Sequence, residues 1–303
     1  MQQLKLIQLY FYVCQVYEEE LKWHCQRFTK NGLEPDFTDS ELLTTYLFAV
    51  GFEQRFQVKQ IYRYIHDHWL SWFPALPAYP TYTVRLNRLV ATFPVLIQRL
   101  LSEVAEFTAH SEIFTLADSM PIITCSNRRR AKVARDLCNK GYNAVKKRHY
   151  FGVKLHTLAF LRDGGLPLPE YLLLSPASEH DLSAQRVLLE QLVNRTIVGD
   201  KAFQDSKLDR AVGKNGSVVL TPVAYQDIIA KTLRPRTQAA DDLYSAAVSS
   251  LRQPIESFFN WLIEKTDIQR ASKVRSSNGL LVHVFGKIAA AFSALLIIRQ
   301  ILV

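Results

Sequence analysis

Cysteine, glycine and long apolar runs are all sparse in this sequence. Four cysteines in 303 residues are too few for a disulfide scaffold. Cys14, Cys25, Cys125 and Cys138 form no C-x-x-C pair, and no histidine follows them at zinc-ligand spacing. With 11 glycines and 12 prolines, the chain is neither collagen-like nor low-complexity. The first twenty residues have an apolar face but no small-residue cleavage site, and acids begin at Glu18, so they do not read as a secretory signal. The one membrane suspect is the stretch Leu280 to Val303. Lys287 and Arg299 interrupt it and leave 11 uncharged residues between them, too few to span a bilayer. A buried helix is expected there, with no membrane partner. These absences predict an intracellular, cytoplasmic protein. Acids are also in deficit: 37 Lys+Arg stand against 28 Asp+Glu, a net charge of +9 that suits a polyanionic partner.

What is present is a core. Hydrophobic residues make up 48% of the chain, enough for one large domain or two smaller ones. Residues 1–107 read as mostly helical. Leu4, Ile7, Phe11, Cys14, Tyr17, Leu21, Cys25 and Phe28 recur at steps of three and four, which predicts one buried helix face. Thr38-Asp39-Ser40-Glu41 has the form of a capping box, opening a helix that Gly51 ends. Another helix is expected from Gln57 to Trp69. Pro74, Pro77 and Pro80 mark a stiff loop before helical segments at Thr81–Val90 and from Pro94 to about Phe107.

After Phe107 the pattern changes to strands. Glu112 to Ala117 reads as a short buried strand. Tyr150 to Leu158 alternates, with Lys154 and His156 on one face. Asp163-Gly164-Gly165 is a turn, so Tyr171–Leu174 should complete a hairpin. Asp181 is placed to cap a helix over Leu182–Val193. Strands follow at Thr196–Gly199 and Ser217–Leu220. Residues 223–250 read as a polar connection with some helix, and helices are expected over Gln253–Glu264 and Asn278–Val303. Three strands in succession, then helix and strand in alternation, predict a mixed α/β sheet in residues 108–303 behind an all-α region in 1–107.

Two aspartates follow apolar strands: Asp118 in Thr-Leu-Ala-Asp-Ser-Met-Pro and Asp200 in Ile-Val-Gly-Asp-Lys-Ala-Phe. If the strands lie side by side, the carboxylates converge on a rigid edge suited to metal binding. Glu256, framed by Ile255, Phe258, Phe259 and Leu262, is a third acid on a packed helix. Three converging carboxylates repel unless a hard cation neutralises them, and all-oxygen donors select Mg²⁺ or Mn²⁺. Each acid also has an ordinary reading. An Asp after a strand often forms a turn or caps a helix, and Glu256 lies four residues beyond Arg252, within pairing reach.

The ordered set Asp118, Asp200, Glu256 resembles the DDE transposases of bacterial insertion sequences, nearest to the IS4-like and IS982-like groups. The likeness covers roughly 112–295. It runs through Ala117-Asp118-Ser119-Met120-Pro121-Ile122, Tyr150-Phe151-Gly152-Val153-Lys154-Leu155-His156, Ser178-Glu179-His180-Asp181, Gly199-Asp200-Lys201-Ala202-Phe203 and Arg252-Gln253-Pro254-Ile255-Glu256. A basic stretch, Arg270 to Ser276, follows. Ser249 and Ile263 stand where the IS4-type signature has Tyr and Lys. The resemblance implies an RNase H-like core whose Asp118, Asp200 and Glu256 hold two Mg²⁺ (or Mn²⁺) ions. It implies cleavage at insertion-sequence ends and strand transfer into target DNA. It also implies double-stranded DNA as partner, a homodimer on that DNA, and a nucleoid-associated location. A related nuclease that only hydrolyses DNA, and a catalytically silent DNA-binding relative, are the alternatives.

The densest positive charge lies between the first two strands: Arg128, Arg129, Arg130, Lys132, Arg135, Lys140, Lys146, Lys147 and Arg148, against Asp136 alone. Beside a metal site such a segment would hold DNA phosphates. Lys154, His156, Lys201, Arg252, Arg270, Lys273 and Arg275 complete the expected DNA contacts. His66-Asp67-His68 reads as surface. Arg85 and Arg88 at i,i+3 give residues 1–107 a likeness to a helix-turn-helix, so that region is expected to bind DNA ends or mediate dimerisation.

Overall fold

The computed structural model describes residues 1–25, 35–106, 108–126, 133–143, 147–223 and 234–302. They form two compact units. One comprises Met1–Phe107, Arg130–Asp136 and Leu262–Val303, and is helical. The other comprises Thr108–Arg129 and Leu137–Trp261, and contains the sheet.

In the helical unit, α1 (Gln2–Glu19), α2 (Asp39–Gly51), α3 (Val58–Trp69), α4 (Tyr79–Arg88) and α5 (Thr92–Glu106) come from the front of the chain. From its end come α9 (Ser277–Leu281) and α10 (Lys287–Leu302), joined by a π-helical turn at Val282–Gly286. The capping box is formed: the Glu41 N–H donates to Thr38 Oγ1 at 3.1 Å, and the Thr38 N–H to Glu41 Oε2 at 2.6 Å. Every residue of α2 from Leu42 to Val50 is buried, so it is the central helix of the unit. The helix α10 packs against α1, α2 and α5. Its Ala290 carbonyl lies 2.5 Å from where a Cβ on Gly51 would stand, so only glycine allows this approach of the two backbones. The stretch Ser277–Arg299 is long and apolar enough to cross a membrane, but 72% of its most apolar window is buried inside the protein.

One expectation is overturned here. The buried stripe of α1 is Leu6, Leu9, Val13 and Val16, each at most 1% exposed, while Phe11 is 68% exposed and Leu4 and Ile7 are open as well. Both stripes have helical spacing on a helix apolar on several faces. Tertiary packing against α2 and α10 selects between them. Of the expected set only Leu21 is fully buried, in a 3₁₀ turn at Leu21–His24. Cys14, Tyr17 and Cys25 are half-buried, and Phe28 lies outside the described residues.

Among the described residues the sheet unit has six strands: β1 (Ser111–Ser126), β2 (Asn139–Asn143), β3 (Arg148–Leu161), β4 (Leu168–Pro176), β5 (Thr196–Val198) and β6 (Val218–Leu220). Their order is β2-β3-β1-β5-β6, with β4 also paired to β3. The pairs of β3 with β1, β2 and β4 are antiparallel; β1–β5 and β5–β6 are parallel. The β3–β4 hairpin turns through Gly164 at φ +66°, as the Asp-Gly-Gly sequence predicts. The parallel strands are linked through α6 (Asp181–Leu189) and α7 (Ser206–Gly213). Leu182, Leu189, Leu208 and Val212 of these helices pack on Ala117, Leu158 and Ile197 of the sheet. An antiparallel meander continued by parallel strands is the expected RNase H-like mixed sheet.

Three differences from the sequence expectations bear on the site. β1 continues to Ser126, so Asp118 sits inside a strand rather than after one. The short strand β2 is an addition at the sheet edge. The helix expected from Gln253 is α8, and it starts at Arg234. Pro254 looks like a first-turn proline, yet buried Val248, Ile255, Phe258 and Leu262 continue one helical stripe across it. Packing of that stripe outweighs the one backbone hydrogen bond that proline cannot donate.

The α1 assignment is checked by paired substitutions. Leu9→Ala should lower unfolding free energy by about 2–4 kcal/mol, and Phe11→Ser by no more than about 0.5 kcal/mol. Urea denaturation followed by circular dichroism reads both, and the reverse ranking would restore the Leu4–Ile7–Phe11 stripe as the core.

Candidate active site

Register brings the two aspartates together. The parallel pairing of β1 and β5 matches Leu116 with Val198. Two residues beyond that pair stand Asp118, still within β1, and Asp200, just past the end of β5. Asp200 ends its strand by capping the next 3₁₀ turn: its Oδ1 accepts from the Ala202 N–H at 2.9 Å. Gly199, just before it, leaves room for the Phe203 ring, which would lie 2.8 Å from an added Cβ. The ring, 1% exposed, locks the turn from below.

The third acid reaches the same place through an arginine. On α8, Ile255, Phe258 and Leu262 face the interior, which leaves Arg252 and Glu256 on another side of the helix. Arg252 Nη1 donates to Asp118 Oδ2 at 3.0 Å, and its Nη2 to Glu256 Oε1 at 2.5 Å. The Asp118 side chain is 16% exposed and that of Glu256 52%. Asp118 Oδ1 also accepts from the Ser119 N–H at 2.8 Å.

Burial pushes the Asp118 carboxyl up to about 7. The Arg252 guanidinium and the Ser119 N–H pull it down, while Asp200 and Glu256 push it further up. Both other acids therefore act on Asp118 through space, and one guanidinium serves two of the three carboxylates, Asp118 and Glu256. Among the described residues, no group of three acidic, histidine or cysteine side chains stands close enough together to hold a metal ion as it is. The guanidinium fills the cationic role between Asp118 and Glu256. The donor chemistry fits a divalent ion nonetheless. All donors are oxygens, one lies within a strand and one just past a strand end, and an added cation would relieve the burial and repulsion that raise Asp118.

Lys154 and His156 fall on the other face of the sheet. Asp118 is paired with Thr157, and Ser119 with His156, so side-chain alternation turns His156 away from Asp118. His156 is 1% exposed. Its Nε2 lies 2.7 Å from Ser175 Oγ and its Nδ1 3.2 Å from Gln185 Nε2. Lys154 Nζ donates to Asp181 Oδ1 and to the Glu179 carbonyl, at 2.9 and 2.8 Å. Asp181 is not the helix cap that the sequence suggests, since α6 has His180 at its N-cap without a side-chain cap bond. Instead Asp181 accepts from Ser119 Oγ at 2.9 Å. This network steadies β1 at the residue next to Asp118. The sequence places Lys154 and His156 on one strand face, and Ser119 and Asp181 in two separate motif blocks, but gives no sign of the bonds that join them or of Gln185. The strand alternation at Lys154 and His156 and the Ser178–Asp181 block were its available signals.

The remaining basic residues divide between the units. Lys147, Arg148 and Lys201 are exposed in the sheet unit, and Arg135, Arg270, Lys273 and Arg275 in the helical unit. Arg128, Arg129, Arg130, Lys132 and Lys146 lie outside the described residues. His66, Asp67 and His68 are exposed, as expected.

A family model described as the transposase DDE domain matches residues 109–292, a span that includes Asp118, Asp200 and Glu256. No match was found among curated proteins or solved structures.

Burial also lowers His156, to about 4, with Asp181 opposing and Lys154 assisting. The imidazole is thus neutral in the fold. The unfolded chain takes up that proton near pH 6.5, so the contribution of His156 to stability is complete above pH 6.5 and declines as pH falls toward 4. Between pH 7 and pH 5 the decline should be roughly 1–2 kcal/mol. Urea midpoints of wild type and His156→Gln at both pH values isolate it: the gap between them should narrow at pH 5. A constant gap would contradict a neutral, buried His156.

Proposed function

Because this chain belongs to the transposase DDE-domain family, whose members act on DNA, we propose that it cleaves phosphodiester bonds at insertion-sequence ends and transfers the freed strands into target DNA. The observation that supports this reading is the nearness of three acids: Asp118 within β1 and Asp200 just beyond β5 stand at one level on paired strands, and Glu256 is tied to Asp118 through Arg252.

Asp118, Asp200 and Glu256 are the residues that would hold the divalent metal this family generally uses, taken here as two Mg²⁺ or Mn²⁺ ions. Held there, such ions would supply Lewis-acid activation of a water or a DNA 3′-hydroxyl for in-line attack and stabilisation of the departing 3′-oxygen. The chain's own residues do the positioning. The rigid strands fix Asp118 and Asp200, and the packed stripe of α8 fixes Glu256. Arg252 is a planar fork: a guanidinium that gives up a carboxylate can take a DNA phosphate with the same geometry. Lys147, Arg148 and Lys201 are proposed to hold the backbone beside the reacting bond, with the rest of the basic segment 128–148. Residues 1–107 are assigned to DNA-end recognition or dimerisation, since two ends must be paired before they are joined. The likeness to the IS4-like and IS982-like groups belongs to the same proposal.

The test is cleavage and joining of a DNA fragment carrying the element's own ends, with Mg²⁺, Mn²⁺ or EDTA. Asp118→Asn, Asp200→Asn and Glu256→Gln should each lower the rate on the order of a thousandfold or more. EDTA should abolish the reaction. Nicking without joining would favour a nuclease, and binding without cleavage under any metal would leave a DNA-binding relative. Full activity in all three variants would remove these acids from the chemistry.

A further inference from the structure

The helical unit contains a cavity of about 480 Å³. Lys59, Arg270, Lys273, Arg275 and Lys287 line it, and Asp267 is the sole acid among its lining residues. Tyr46, Phe56 and Tyr79 contribute aromatic wall. The dimensions suit a ligand of nucleotide size, and basic groups interleaved with aromatic ones suit a phosphate joined to a base.

The cavity is built rather than incidental. Its basic segment lies between α8 and α9 and is pinned from the inside. Lys287 Nζ donates to the Asp267 carbonyl at 3.1 Å, and His283 Nε2 lies 2.8 Å from the Ile268 carbonyl. Ser276 Oγ caps the Gly279 N–H at 3.1 Å. The π-helical turn Val282–Gly286 sets His283 and Lys287 against this segment; such turns are frequent at functional sites. Lys287 is 2% exposed, with its ammonium 5.5 Å over the Phe56 ring. Among the described residues no carboxylate comes within ion-pair distance of it. Burial lowers its pKa to about 7 against a weaker opposing pull from Asp267. A buried cation without a counterion is costly, and an entering anion offsets that cost. Next to the rim residue Ser276, the chain is tied to the described part of the basic segment. Ser277 donates a hydrogen bond from its hydroxyl to Asp136, the residue after Arg135.

We propose that this cavity binds one phosphate-bearing nucleotide unit of a DNA strand, with Arg270 and Lys273 at the rim and Lys287 at the base contacting the phosphate. The proposal rests on DNA being the partner, and it adds a phosphate site in the helical unit that the carboxylate cluster does not provide.

The test uses the full chain carrying Asp118→Asn, in EDTA, so that binding is read without cleavage. The probes are inorganic phosphate, deoxyadenosine 5′-monophosphate, deoxyadenosine and a duplex bearing the element's end. The monophosphate should bind, and deoxyadenosine should bind at least tenfold more weakly. Arg270→Ala with Lys273→Ala should weaken the duplex about tenfold or more at moderate salt. It should also reduce the slope of log affinity against log salt by about 0.9 for each phosphate the protein no longer neutralises. Both changes are on exposed side chains, so a native melting curve is expected. Lys207→Ala with Lys214→Ala, exposed in the sheet unit, is the matched control and should have less effect. Equal losses in the two pairs would overturn the site. Monophosphate binding with unchanged duplex affinity and slope would assign the cavity to free nucleotides and overturn the DNA claim. A cavity that binds DNA in a protein whose three acids never cleave would overturn the transposase reading alone.

Discussion

The candidate site depends on the two-sided pairing of β1. Along one edge the antiparallel ladder to β3 runs from the start of the strand to its end. Along the other, three parallel pairs to β5 set the level at which Asp200 emerges beside Asp118. A slip of one residue in either pairing would turn Asp118 toward α6 and bring Ser119 into its place. The bonds that steady this register lie on the opposite face, where Asp181 receives Ser119 and Lys154. Gly152 contributes from β3: a Cβ there would stand 1.9 Å from the Ile122 carbonyl, so the ladder closes at this tightness only around glycine. The geometry of the acids is thus a property of the sheet and not of a loop.

Each unit also holds an ionisable group, central to its proposed site, whose surroundings oppose its charge. Asp118 is raised by burial and by two neighbouring acids; Lys287 is lowered by burial beside a carbonyl and an aromatic ring. Neither is neutralised by a dedicated partner of its own, since Arg252 is shared between Asp118 and Glu256. Buried groups of this kind are costly to keep for stability alone. Their signs are complementary to the two components of a metal-assisted phosphodiester reaction: a cation suits the acids, and a phosphate suits the lysine.

What the sequence made legible follows from how local each signal is. The capping box at Thr38–Glu41, the turn at Asp163–Gly165 and the short strands before Asp200 and at Val218–Leu220 are decided within a few residues, and all are found. The stripe of α1 is not local. Leu9 and Phe11 are both apolar, and only the helices packed on one side of α1 make Leu9 the buried one. The length of β1 was hidden because Asp118 and Pro121 look like strand terminators. Both are tolerated because the strand is held along its length by β3. The start of α8 was hidden by Pro254 for the same reason, since the apolar stripe that spans the proline is visible only once Val248 is known to be packed. The face taken by His156 depends on register against β1, which alternation within β3 cannot supply.

The ordinary and the functional readings of the three acids turn out not to compete. Asp200 does cap a turn, and Glu256 does pair with Arg252, as their local sequence suggests. Each of those bonds engages one carboxylate oxygen, and a carboxylate has lone pairs to spare on both. Asp118 differs. Its Oδ1 takes the Ser119 N–H and its Oδ2 takes Arg252. Arg252 holds both Asp118 and Glu256 by one positive charge, and its helix is packed through Ile255 and Phe258. Lysine at this position would hold only one of the two carboxylates with comparable geometry. The planar fork holds Asp118 and Glu256, two mutually repelling acids, near each other.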